Sequence, residues 1–188
     1  MTTTTHTTTS TATGVILTCS ALDMNTVHVT GSSNGAHYTM VTGSEGGRKL
    51  VTITNTAPNS LPNAAPLARL ELHGIRSDKL SLNGQPPIKL YSWLSHTTSV
   101  VHKFPIPEPS EHAGSYEWRR VWRAVPLQFE LFAPGEPEPI VVVQKVEPGQ
   151  HLPGQPQTTA TMSLTARALP IQDWVVVSFL LVDREPLK

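Results

Sequence analysis

The sequence predicts a mostly β domain in which short antiparallel strands wrap one apolar segment near the C-terminal end. Three observations carry this expectation. Seventeen prolines and twelve glycines punctuate the 188 residues, and short runs of alternating polar and apolar side chains lie between them, which is the pattern of strands joined by turns. No long amphipathic helical pattern competes with it. The third observation is Trp174 to Val182 (WVVVSFLLV), where only Ser178 is polar, so the segment has no face suited to water.

Taken in order, residues 1–25 read as a threonine-rich disordered tail, because Met1 to Thr13 (MTTTTHTTTSTAT) has no apolar periodicity to offset the entropy of ordering. The β domain then occupies residues 26–188. Thr26 to Thr30 and His37 to Thr42 alternate around Asn34-Gly35, a dipeptide suited to the positive φ angles of a tight hairpin. Gly43 to Gly47 forms a second turn before Lys49 to Asn55. It is no phosphate loop, because the Gly-Lys-Ser/Thr ending is missing. After the proline-rich loop Ala57 to Pro66, Leu67 to His73 sends Ala68, Leu70 and Leu72 one way and Arg69, Glu71 and His73 the other. Asp78 to Leu82 repeats the pattern and ends in Asn83-Gly84, another hairpin signal.

Lys89 to Leu94 fits one helical turn, and Ser99 to Phe104 a strand. Pro105 to Gly114 (PIPEPSEHAG) is too rich in proline for a central strand and is expected as an exposed loop. Ser115 to Val125 and Leu127 to Phe132 resume the alternation, with Leu127, Phe129 and Leu131 directed inward. Ile140 to Val146 (IVVVQKV) suits a strand buried on both faces. Glu147 to Pro156 is a loop, and Thr159 to Ala166 leads into the apolar run. About ten strands at hairpin spacing fit a sandwich or a closed barrel.

Periodicity alone leaves Trp174 to Val182 open between helix and buried strand. Pro170 before it, Asp173 in its first turn, Arg184 at its end and Pro186 beyond it favour a helix. The triplet Val175, Val176 and Val177 favours a strand. A membrane span is not expected, since crossing a bilayer takes about 20 apolar residues.

Composition narrows the function classes. Fourteen basic and fourteen acidic residues give zero formal charge, which supplies no electrostatic case for a nucleic-acid partner. One cysteine, Cys19, permits neither an intramolecular disulfide nor a cysteine-based zinc site, and points to a reducing, cytoplasmic compartment. No charged leader or long apolar leader segment is seen, and no Asn-x-Ser/Thr sequon.

The stretches Leu67 to His73 (LARLELH), Ser77 to Gly84 (SDKLSLNG), Tyr116 to Arg119 (YEWR) and Asp173 to Arg184 together resemble a family of small proteins of mushroom-forming fungi. These carry a domain of unknown function related to the tubby C-terminal, phospholipid scramblase and LURP-one-related folds. The resemblance covers roughly residues 27–188. It implies a closed antiparallel β-barrel around a central hydrophobic C-terminal helix, and so a helical Trp174 to Val182. Tubby domains bind phosphoinositides through basic surface residues, whereas scramblase activity is not expected of a chain without a cysteine cluster or a calcium-loop pattern. Fold by itself does not assign the activity.

Candidate sites are few. In Tyr116 to Arg123 (YEWRRVWR), strand alternation puts Arg119 and Arg123 on one face, where two arginines could hold a phosphate, with Trp118 and Trp122 on the other. Packed aromatics and surface ion pairs account for the same residues. Eight histidines include no His-x-His or His-x-x-x-His spacing, so no metal site and no cofactor are expected. For catalysis, Glu111 and His112, near Glu108, form the clustered acid and base, with His102 as a further base. They lie in or beside a proline-rich loop, and solvated charge explains them equally. The expectation is a non-catalytic binding domain for a protein or an anionic lipid headgroup. The alternative is a small enzyme or accessory protein acting on a hydrophobic metabolite in fungal secondary metabolism.

Overall fold

The computed structural model describes residues 14–23, 25–33, 35–58, 65–73, 77–98, 100–122, 124–146 and 157–184. Among them thirteen strands form one antiparallel sheet. The first seven are β1 (Val15–Ala21), β2 (Thr26–Gly31), β3 (His37–Glu45), β4 (Arg48–Asn55), β5 (Ala68–Leu72), β6 (Lys79–Leu82) and β7 (Ile88–Lys89). The short helix α1 (Leu90–Trp93) follows. The chain then forms β8 (Ser95–Thr98), β9 (Val101–Ile106), β10 (Gly114–Val121), β11 (Gln128–Phe132), β12 (Val141–Lys145) and β13 (Gln157–Leu164). A 3₁₀ turn, Ala166–Ile171, leads into α2 (Gln172–Arg184).

Strands adjacent in sequence pair with each other except β7 and β8, and β13 returns to pair with β1, so the order runs β7 back to β1, then β13 back to β8. The hydrogen-bonded ladder is interrupted between β7 and β8, and the expected closed barrel is therefore met as a large antiparallel sheet whose ladder stays open there. The chain itself bridges that gap. Laid flat at ~4.8 Å per strand, the two edges would lie roughly 55 Å apart. The five residues between β7 and β8 reach at most ~20 Å, so the sheet must curl.

Inside the curl lies α2. Eight consecutive residues, Val175 to Val182, are buried, and at ~100° per residue they point in every direction around the axis. The strand alternative fails for a backbone reason. A lone strand inside the curl would leave its N–H and C=O groups without partners, whereas a helix satisfies them internally. The valine triplet costs only tenths of a kcal/mol per residue, about 0.5 kcal/mol each at most, in helix propensity. Asp173 and Arg184 stand in the first and last turns as the sequence indicates, while Pro186 lies outside the described residues.

Alternation places the core. Leu17 and Cys19 of β1, Tyr38 and Met40 of β3, Val51 and Ile53 of β4, and Ala68 and Leu70 of β5 all point toward α2. Two turns carry the positive φ pairs of tight hairpins: Gly46 (57°) with Gly47 (77°), and Asn83 (48°) with Gly84 (72°). Asn34 lies outside the described residues, so the first expected hairpin turn is not described in full.

Four expectations need correction. Residues 15–21 of the segment assigned to the tail form β1, which lies between β2 and β13 with Leu17 fully buried; residues 1–13 lie outside the described residues. β8 was not expected, because its four residues are all exposed and show no alternation. Pro105 belongs to β9 rather than to a loop. It is tolerated because β8 pairs no further along β9 than Lys103, and the Trp93 indole N–H donates to the Pro105 carbonyl at 3.2 Å. Finally, β12 buries Val141 and Val143 on one face while Gln144 is exposed, so it is buried on one face rather than two.

Candidate functional site

Strand β10 carries the two regions of interest, one at each end. Its alternation turns Tyr116 and Trp118 into the core and leaves Glu117 and Arg119 outside. On that outer surface the Arg119 Nε donates to Glu117 Oε1 at 2.6 Å, Lys103 Nζ approaches Glu117 Oε2 at 3.0 Å, and the Arg119 guanidinium covers the Phe132 ring at 3.9 Å. Burial alone would raise the Glu117 carboxyl, but hydrogen bonds from Arg119 and Lys103 hold it below the usual carboxylate range. Arg119 is thus a paired, stacked cation. Its expected companion Arg123 lies outside the described residues, so the alternate-arginine pair is not described.

Of the two tryptophans, Trp118 is fully buried against Phe179 and presents nothing to a ligand. Trp122 does the opposite. β10 ends at Val121, the alternation stops, and the Trp122 side chain turns out with 63% of its surface exposed. Val125 in the same β10–β11 turn is 83% exposed. Arg120, just inside the strand, places its guanidinium 4.9 Å from the Trp122 ring centroid, and its Nε is shielded from water with no hydrogen-bond partner among the described residues.

At the other end of β10 the connections β9–β10 and β11–β12 meet the 3₁₀ turn before α2 and border an open cleft of about 460 Å³. Glu111, His112, Ala113, Tyr116, Ala133, Pro134, Ile140, Arg167 and Pro170 line it. The Tyr116 hydroxyl donates to the His112 carbonyl at 3.1 Å, which ties the loop to the strand. Glu111 Oε1 lies 3.6 Å from His112 Nε2, and its side chain is 88% exposed. Such a pair is solvated and longer than the reach needed for proton transfer.

His102, the third expected base, does not line this cleft. It sits on the inner face of β9 opposite Trp118, with its ring 4.7 Å from that of His96. Burial, with a smaller contribution from His96, lowers its pKa to about 4. The three residues named as acid–base candidates therefore occupy two places, and Glu108 lines neither. Two distant histidines, His28 and His37, stack at 5.6 Å on neighbouring strands. No group of three potential metal ligands occurs among the described residues.

Arg167, Pro134, Ile140 and Pro170 had no sequence signal as site residues, since only the folded connections bring them together. No helix among the described residues is long and apolar enough to cross a membrane. A sequence model of a family of unknown function, DUF6593, matches residues 22–186. No curated protein and no solved structure matches the chain.

Proposed function

The chain belongs to the DUF6593 family, and from that premise we propose that it is a non-catalytic binding module that docks on anionic lipid surfaces through its β10–β11 turn. The observation that carries this is the pairing of Trp122 and Val125, the two most exposed of the large apolar side chains among the described residues, in one turn. An indole body with a polar N–H suits the boundary between water and lipid. Arg120 beside it brings a cation whose Nε has no partner among the described residues. The loose geometry of Glu111 and His112, and the separate position of His102, support the non-catalytic reading. In this proposal the curled sheet, with α1 bridging its edges and α2 inside, is a tubby-like barrel acting in the cytoplasm.

Co-sedimentation with vesicles tests the reading. Binding is expected to vesicles rich in phosphatidylserine or phosphoinositide, to weaken as salt is raised, and to be absent with phosphatidylcholine alone. Trp122→Ala and Arg120→Ala are each expected to weaken it, the arginine by about fivefold for ~1 kcal/mol of surface attraction. No pelleting with anionic vesicles, or pelleting unchanged by both substitutions, would leave a protein partner as the reading and remove the lipid one.

A further inference from the structure

We infer that the cleft beside Tyr116 binds a small organic monocarboxylate, its acid group held by Arg167 and its apolar aromatic or alkyl body seated against the walls. This site lies at the opposite end of β10 from Trp122 and stands independently of the membrane reading. Its volume of about 460 Å³ falls within the ~300–1,000 Å³ of small-molecule sites. Ala113, Ala133, Pro134, Ile140 and Pro170 form an apolar part of the wall, beside the polar groups of Glu111, His112, Tyr116 and Arg167, and such a mixed lining suits an amphipathic ligand with one polar head and a short apolar body.

Arg167 determines the charge of the ligand. Its Nη1 meets Glu136 Oε1 at 2.6 Å, and Glu136 is not among the residues that line the cleft. That contact occupies one side of a guanidinium with five N–H donors and steadies it, while no other hydrogen bond or ion pair of Arg167 occurs among the described residues. The charge also reaches the cleft floor: burial pushes the Tyr116 hydroxyl up, and Arg167 partly offsets that push. The remaining donors can grip a planar carboxylate in a two-pronged bond. Glu111 at the lining and Glu136 behind the guanidinium disfavour a second negative charge, which selects a monoanion over a dianion. His112, on the same lining, adds a polar contact.

An NMR titration of the full chain, following backbone amides, tests this with three probes of one shape: 4-phenylbutyrate, 4-phenylbutanol and 4-phenylbutylamine. Saturable shifts confined to residues 111–116, 133–140 and 167–171 are expected with the acid, and much weaker ones with the alcohol and amine. Arg167→Ala is expected to weaken the acid by about ten- to a hundredfold, the usual worth of a charged hydrogen bond. Arg119→Ala leaves it unchanged. If Arg167→Ala loses the dispersed spectrum of a folded chain, Arg167→Lys serves instead, keeping the charge but losing the fork, with a smaller loss expected. The inference is overturned if the three probes bind alike, if no saturable shift appears, or if the folded Arg167 variant binds the acid as the unsubstituted chain does.

Discussion

The indole N–H of Trp118 donates to the hydroxyl of Ser178 at 3.0 Å, both residues being fully buried. Ser178 in turn donates to the Val175 carbonyl one turn back at 3.1 Å. The single polar side chain in the apolar run is therefore the group that fixes the rotation of α2 against β10. Ser178→Ala would leave the Trp118 N–H buried without an acceptor, at a cost of about 1–3 kcal/mol. Urea unfolding is expected to show the midpoint falling with an unchanged slope, and Trp118→Phe in the Ser178→Ala background is expected to add less than it does alone. Additive effects in that cycle would show that the bond contributes nothing.

Around that bond the aromatics close the packing. Phe179, the next residue of α2, meets Trp118 with ring centroids 5.7 Å apart and Phe129 at 5.9 Å. Phe179→Ala is expected to cost about 3–5 kcal/mol, because a cavity surrounded by a curled sheet and large rings has little freedom to collapse. Thermal unfolding followed by circular dichroism checks this, and a loss below about 1 kcal/mol would contradict an enclosed helix.

Acid sensitivity should trace to His102. The side chain is 9% exposed and burial lowers its pKa to about 4, against ~6.5 in an unfolded chain. The folded state thus resists a proton that the unfolded state accepts. Its contribution is complete above about pH 6.5 and is lost as the pH falls through 4, on the order of 2 to 3 kcal/mol over that window. His102→Gln cannot titrate, so its stability curve is expected to be flatter between pH 6.5 and 4 than that of the unsubstituted chain. Parallel curves would place the acid sensitivity in the carboxylates instead.

Much of the architecture was legible because the burial pattern is written locally. Ala68 and Leu70 alternate with Arg69 and Glu71 as a half-buried strand must, Asn83-Gly84 marks its turn by backbone chemistry, and Asp173 and Arg184 bracket α2. What stayed hidden depends on partners distant in sequence. β1 sits behind a threonine tract and gains its stability by pairing with β13, about 140 residues later. β8 has four exposed residues and is a strand only because β9 lies beside it. The cleft was invisible for the same reason: Arg167 and Tyr116 meet only after the sheet has curled around α2.

The outer surface of β10 offers a separable test of charge against stability. Glu117 accepts from both Lys103 and Arg119, all three partly in water. Glu117→Gln is expected to move stability by less than about 1 kcal/mol, as for exposed ion pairs generally. Anionic vesicle binding, in contrast, is expected to rise, because Arg119 is released and the strand gains one positive charge. Measured on the same protein, a large fall in urea midpoint with no gain in vesicle binding would make the cluster structural.

Gly114 links the fold to the cleft. Its φ is 157°, and a Cβ built there would come 2.8 Å from Cγ of Pro134, closer than real side-chain contacts allow. Pro134 is itself a cleft wall, and its ring cannot rotate away as a flexible chain end would. Gly114→Ala therefore has to push the β11–β12 connection outward, at a cost of about 1–3 kcal/mol typical of overpacking. Because the displacement falls on the cleft and not on the Trp122 turn, amide shifts in the folded variant are expected to cluster at residues 111–116 and 133–140 and to leave residues 120–122 in place. Shifts spread evenly over the sheet would mean that the two ends of β10 are mechanically coupled and that the cleft cannot be altered alone.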